Sequence, residues 1–444
     1  MKQTDLLNDN VKKLFFRYLI PSVSATLVTS IYVLADTIFI GKGISDTAVA
    51  ALNIIIPLFS LYFGMGLLFG VGGSVLLSVA KGQGDEKKAN TYFTVAFIAN
   101  GITSLIFLII NLVAFDQIAY LLGASETTIG YIREYGMYFI WGIPFFCFSS
   151  FLQAFVRNDK APKLSMIAVI SGGVINIIID YVFIYIFDMG MGGASLATVL
   201  GSVVSCLILS THFLSKSNTL HLVKQGLQLR YFGDVTKNGF SSFLIEMSSG
   251  IVIFIFNNRV LHYIGDVGVT VYSIISNTAI IVSSLSNGIS QAAQPLLALN
   301  YGAGKYDRID QVKRLGLGFS FATGIVFAVV GFCFPEFVVG LFIHPSKEVQ
   351  ELAPMAIQIY FISFILMVPN IFYSNYFQST LQPIYALIIC VLRGLILSGV
   401  LVYILPTILG VKGIWMTMIF VECITLAVII AFVLREKRQS IEYK

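Results

Sequence analysis

Apolar runs of twenty or more residues recur from one end of this 444-residue chain to the other, and they dictate what it can fold into. Each is long enough to cross the ~30 Å of hydrocarbon in a bilayer. In lipid every backbone donor and acceptor must be satisfied within the protein, which leaves helices or closed barrels. A barrel would alternate apolar and polar residues in segments of about ten, and these runs are continuous. Charged residues are only 11% of the chain, against about 25% in a soluble domain. The fold class is therefore an all-α polytopic membrane protein, with the lipid bilayer as its first partner.

Twelve transmembrane helices fit, at 14–40, 48–80, 91–113, 135–157, 162–187, 193–214, 237–263, 268–300, 315–334, 352–379, 383–405 and 412–434. The long polar interruption from Ser215 to Thr236 divides them into an N-terminal lobe (1–214), a linker (215–236) and a C-terminal lobe (237–444). Lys and Arg fix the orientation, because they gather on the cytoplasmic side. Twenty-two of the 28, including Lys2, Lys81, Lys160, Lys305 and Lys444, fall on the side of the two chain ends. Only Lys42, Arg133, Arg259, Lys347 and Lys412 fall opposite, and Arg393 lies within a span. Both termini are expected in the cytoplasm. The first dozen residues are polar and the following run is too long for a signal h-region, so no cleavable signal is expected.

The halves repeat at an offset near 220. Ile44-Ser45-Asp46 matches Ile264-Gly265-Asp266, and Lys81-Gly82-Gln83-Gly84 matches Tyr301-Gly302-Ala303-Gly304. Pro144 matches Pro369, and Gly193-Ala194 matches Gly413-Ile414. Six spans per half place both halves in one orientation, with the pseudo-two-fold axis along the membrane normal. Repeats of this kind build secondary transporters.

Charges inside the spans are the functional candidates, since each costs several kcal/mol at that depth. Asp36 sits in span 1 four residues from its outer end, about 6 Å deep. Pro21 in the same helix removes a backbone donor and predicts a kink or hinge. Asp180 lies about 10 Å below the same surface in span 5, with Asn176 one turn away on its face. Thr198 in span 6 is about 8 Å deep. Carboxylate, amide and hydroxyl oxygens from three helices thus reach similar depth. They suit Na⁺, and two neighbouring carboxylates equally suit a shared proton. The bland alternative is that Asp36 and Asp180 tie helices together through neighbouring donors; spans 1, 5 and 6 offer no Lys or Arg at that depth.

The second half buries Glu246, Arg393 and Glu422. An unpaired guanidinium there would be costly, so Arg393 and Glu422 read as a structural or gating pair before a substrate contact. Glu246 is a counter-ion, a substrate contact or a structural partner. The five cysteines (Cys147, Cys206, Cys333, Cys390, Cys423) read as small buried hydrophobes. His212, His221, His262 and His344 lack metal-ligand spacing, which disfavours a metalloenzyme. The Gly-x-Gly pairs at 82–84 and 302–304 are turns rather than phosphate cradles. No nucleotide motif is present, so ATP cannot drive transport within this chain.

The run Ala35-Asp36-Thr37-Ile38-Phe39-Ile40-Gly41, the stretch Asn176-Ile177-Ile178-Ile179-Asp180 and the segment Gly190-Met191-Gly192-Gly193-Ala194-Ser195-Leu196-Ala197-Thr198 resemble the multidrug and toxic compound extrusion (MATE) family, in its bacterial MepA-like and DinF-like branch. Tyr376-Phe377-Gln378 in span 10 and the repeated Gly-x-Gly turns are similar too. The resemblance implies two six-helix lobes forming a V-shaped cavity, and antiport of organic cations against Na⁺ or H⁺ across the bacterial cell (inner) membrane. It implies a monomer without cofactor, and a cation site of Asp36, Asn176, Asp180, Thr198 and the Ala194 carbonyl. Family members with a C-lobe ion site pair a span 7 glutamate with a span 10 aspartate. Here span 10 has Asn370 and Asn375 and no acid, which shifts weight to the N-lobe. The leading expectation is a cation-coupled antiporter for mostly cationic drugs. The alternatives are a lipid-linked sugar flippase, or another metabolite exporter of the same architecture, and a membrane-embedded enzyme; no nucleic-acid partner is expected.

Overall fold

The computed structural model of the chain describes residues 5–224, 228–343 and 345–442. His344, Lys2 and Lys444 lie outside that range. The first half holds six long helices: α1 (Val11–Gly43), α2 (Asp46–Gly82), α3 (Glu86–Leu121), α4 (Ile129–Asn158), α5 (Pro162–Tyr181) and α6 (Gly190–Ser210). The second half holds α7 (Leu229–Ile264), α8 (Asp266–Gly302), α9 (Tyr306–Cys333), a short α10 (Pro335–Phe342), α11 (Lys347–Phe361), α12 (Phe364–Ser379), α13 (Pro383–Val391), α14 (Ser398–Leu409) and α15 (Val411–Glu442). Among the described residues eleven helices are long and apolar enough to cross a bilayer alone, and α11 with α12, bent by 41° at their junction, pass the same test as a pair. The protein is a multi-pass, all-helical membrane protein of eleven to twelve spans among the described residues.

Helix starts follow local chemistry. Asn10, Ser45 and Asp85 each accept a backbone N–H three residues on (Lys13, Ala48 and Lys88), satisfying a donor that a free helix end leaves bare. Asp46 and Glu86 then place negative charge in the first turn, where the helix dipole favours it. α1 runs on as one helix through Pro21, while α3 bends at Ala114, the residue with non-helical φ and ψ inside it. Span 5 continues past α5 as a π-helical turn, Val182–Ile186, and span 11 carries another, Leu392–Leu397, between α13 and α14.

Two compact units form. One comprises Met1–Met247 with Gln294–Ile309, the other Ser248–Ala293 with Asp310–Lys444. In the first, α2 lies so close to α4 that a Cβ on Gly66 would run into the Cys147 carbonyl and the Ser150 hydroxyl; small residues are what let helices approach in lipid. Phe93, Phe97, Phe148, Phe151 and Phe155 fill the space between α3 and α4, with the Phe151 and Phe155 rings 4.7 Å apart. In the second unit Trp415 is fully buried, Phe361 packs on Phe364 at 4.8 Å, and Tyr385 stacks on Phe432 at 4.2 Å. Outward faces are aliphatic, as at Ile109, Val113 and Leu409. This corrects the expectation for two cysteines. Cys147, Cys206 and Cys390 are buried, but Cys333 and Cys423 are exposed, because an apolar thiol faces lipid without penalty.

One buried polar junction escaped the sequence. Asp159, just past the end of α4, accepts from Lys81 Nζ (2.6 Å), from His212 Nε2 (2.8 Å), and from the Thr219 backbone N–H (2.9 Å) and hydroxyl. The linker is thereby clipped to the ends of α2, α4 and the turn after α6. Two further backbone donors of the linker, on His221 and Val223, reach Asn90 and Thr94 of α3.

Candidate cation site

Within the first unit, α1 supplies Asp36, α5 supplies Asn176 and Asp180, and α6 supplies Ala194 and Thr198. The glycine run explains how α6 can begin so close to its neighbours. Asp188 (φ 52°) and Gly190 (φ 51°) turn the chain back through left-handed backbone after the π-helical turn. A Cβ on Gly190 would strike Glu134 of α4. Glu134 Oε1 instead accepts from the Gly192 N–H at 3.2 Å, a carboxylate placed on a helix N-terminus.

The side chains converge. The Asp36 and Asp180 carboxyl groups lie beside each other, with the Asn176 amide next to Asp180. Asn176 Nδ2 also points at Thr198 Oγ1, 3.5 Å away, and Thr198 donates to the Ala194 carbonyl at 3.1 Å. Asp180 is fully buried and Asn176 nearly so. Asp36 Oδ1, both oxygens of Asp180 and Asn176 Oδ1 are buried with no hydrogen-bond donor among the described residues. Buried acceptors are almost always satisfied, so four orphaned oxygens in one place form a site short of positive charge. Carboxylate, amide and hydroxyl oxygens are hard donors that fit an alkali cation, and a proton between the two carboxyls would answer the same need. Among the described residues no cluster of three His, Cys, Asp or Glu forms a metal centre.

A fifth side chain belongs here. Tyr135, buried near the start of α4, brings its hydroxyl beside Thr198 and lies in the field of both aspartates. The depth criterion that singled out Asp36 places Tyr135 at the same outer end of its span; confined to acids, amides and Thr198, it passed over the phenol. Beside the site opens a cavity of about 50 Å³, lined in part by Tyr32, Phe59, Phe63, Gln153, Asn176 and Thr198, large enough for a few waters.

The remaining candidates fall elsewhere. Glu246 of α7 packs beside Gly64 of α2 in the first unit, with Tyr32 in its field. Arg393 and Glu422 meet in the second unit as an ion pair of 2.7 Å, and Asn370 donates to the other Glu422 oxygen at 2.8 Å. Pro21 is buried in an unbroken α1.

A sequence model of the MatE family matches residues 21–182 and again 240–404, a displacement of about 220 that reproduces the internal repeat. The multidrug export protein MepA of Staphylococcus aureus (strain MSSA476) is 26% identical over 436 residues, covering 96% of this chain and 95% of that one. MepA of Staphylococcus saprophyticus is 26% identical with the same coverage. An outward-facing MATE transporter of the MOP superfamily superposes with a TM-score of 0.91 at 22% identity, covering 100% of this chain and 99% of that one. A MOP-superfamily transporter from Pyrococcus furiosus, described as having a binding pocket of reversed polarity, superposes at 0.90 with 22% identity over the whole of both chains. Twofold coverage by the family's sequence model, on an all-helical membrane fold, establishes that this chain belongs to the MatE family of multidrug and toxic compound extrusion transporters.

Proposed function

We propose that the protein exports organic, mostly cationic drugs or toxins from the bacterial cytoplasm by exchanging them for Na⁺ or H⁺ across the cell membrane. The observation that carries this reading is the donor-poor cluster of Asp36, Asp180 and Asn176. A coupling cation fills it as cargo and must later leave. Asp36 and Asp180 supply the charge, Asn176, Thr198 and the Ala194 carbonyl supply neutral oxygens, and Tyr135 holds Thr198 in place. The multidrug export named for the staphylococcal relatives supports the substrate class.

In this reading both termini are cytoplasmic, residues 1–214 and 237–444 act as lobes that alternate access, and the monomer is the working unit. Pro21 is the hinge at which α1 bends as the site fills. A MATE neighbour solved in a bent and in a straight conformation supports such a motion. The test is ethidium efflux from proteoliposomes under an imposed Na⁺ or pH gradient. Wild-type protein should respond to one of the two gradients, and Asp36→Asn should weaken that response, moving its half-saturation roughly tenfold to a hundredfold higher in the coupling cation. Efflux unchanged in the variant removes Asp36 from the mechanism.

A further inference from the structure

The fifth span of each half carries a charge against a π-helical segment, a fully buried one in the first unit and a half-buried one in the second, and the two have opposite sign. In the first unit Asp180 lies two residues before the turn Val182–Ile186. In the second unit Arg393 lies inside the segment Leu392–Leu397. π-Helical insertions concentrate at functional sites. Arg393 is ten residues into its span, about 15 Å from the membrane surface and so near the midplane.

Its hydrogen bonds are unequally used. Nε is committed to Glu422 Oε1 at 2.7 Å. Glu422 is fully buried and its other oxygen is held by Asn370, so both carboxylate oxygens are engaged. The two Nη groups have no hydrogen-bond partner among the described residues, yet they are not sealed in, for the side chain is 20% exposed while that of Glu422 is 0%. The same unit holds a second arginine, and this one has no carboxylate partner among the described residues. Arg259 lies over the Tyr403 ring at 4.3 Å and makes no ion pair among the described residues. Where the first unit collects acceptors that lack donors, the second leaves donors that lack an acceptor.

We propose that the Nη face of Arg393 recognises an organic oxyanion, so that the transporter takes substrates bearing a carboxylate beside their cationic centre. This rests on the multidrug export reading above and narrows its substrate class. A guanidinium already bound edge-on by one carboxylate keeps a second edge in fixed orientation, and that edge suits a planar anion with two oxygens. Glu422 and Asn370 act as positioning groups, holding the fork still so that little side-chain entropy is lost on binding.

The test uses rhodamine B, which carries a free carboxylate, and rhodamine B ethyl ester, which does not. Dye affinity is measured by fluorescence anisotropy with the full chain in phosphatidylcholine nanodiscs. Arg393→Gln combined with Glu422→Gln removes both charges, leaving none buried alone, and thermal melting checks that it stays folded. The preference for acid over ester should fall roughly tenfold in the double variant, the scale of one charge-assisted hydrogen-bonded contact, with ester affinity within about twofold. Arg393→Lys, which keeps the charge and its partner, should retain most of the preference. An unchanged acid-to-ester ratio, or no binding of the acid by wild type, overturns the proposal. Loss of acid binding only in phosphatidylglycerol discs assigns the site to a lipid headgroup and also overturns it. Ethidium efflux by wild type is scored separately: export with an unchanged ratio sinks this proposal alone, and a shifted ratio without export sinks the multidrug reading alone.

Discussion

Gly82 and Gly302, one from each half of the repeat, pack reciprocally where the ends of α2 and α8 cross. A Cβ on Gly82 would strike the Leu299 carbonyl, and a Cβ on Gly302 would strike the Val79 carbonyl. Val79 and Leu299 are themselves separated by the repeat offset, so the contact is reciprocal between equivalent positions of the repeat. Backbone lies on the far side of each contact and cannot step aside as a flexible side chain would. Gly82→Ala and Gly302→Ala should each destabilise the protein by about 1–3 kcal/mol, the usual range for overpacking. Because both substitutions wedge open one crossing, the double variant should cost less than the two effects added. Thermal melting in detergent measures all three.

The paired aspartates predict a different kind of non-additivity. Asp36→Asn and Asp180→Asn each convert an orphaned carboxylate into an amide that can donate to its neighbour. Cation affinity, read as the Na⁺ or H⁺ concentration that half-saturates coupled efflux, should weaken roughly tenfold to a hundredfold in either variant. The double variant should be little worse than the single ones, since one missing carboxylate already dissolves the pair. Additive losses would mean that the two groups work apart.

Tyr135→Phe isolates the phenol. It keeps the ring packed against α6 and deletes only the hydroxyl that lies beside Thr198. The expected cost is about 1 kcal/mol in cation affinity, roughly a fivefold shift in half-saturation, with melting nearly unchanged. A large loss of stability with unaltered coupling would make Tyr135 a packing residue.

The same residues mark what the sequence disclosed and what it hid. Span positions and the repeat were legible because hydrophobic length and the 220-residue offset survive in one dimension. Asp36, Asp180, Asn176 and Thr198 were legible because acceptors are rare inside spans and because helical rise converts position into depth. Tyr135 was hidden by its type, since tyrosine is common at span ends for reasons of the interface alone. The bend between α11 and α12 was hidden because the break, Ile362-Ser363, carries no proline or glycine. Cys333 and Cys423 were misplaced because lipid and protein core make the same demand on an apolar side chain. Asp159 was hidden most fully, for its partners Lys81, His212 and Thr219 come from three separate stretches with no common period.

That junction gives the last prediction. Burial opposes ionisation of Asp159, but hydrogen bonds from His212, Lys81 and Thr219 outweigh it and hold the carboxyl below the usual carboxylate range. A carboxyl depressed in the folded state stabilises the fold at any pH above its unfolded value of about 3.9, and loses that contribution as pH falls toward the folded value. Asp159→Asn should therefore cost about 3 kcal/mol at pH 7, the lower end for removing one member of a buried pair. The gap between wild type and variant should narrow only in acid below about pH 4. The linker is clipped by the same carboxylate, so proteolysis at Lys216 should quicken in the variant at neutral pH, while wild type stays resistant. Equal proteolysis with an unchanged melting temperature would mean that the clip contributes neither stability nor order to the linker.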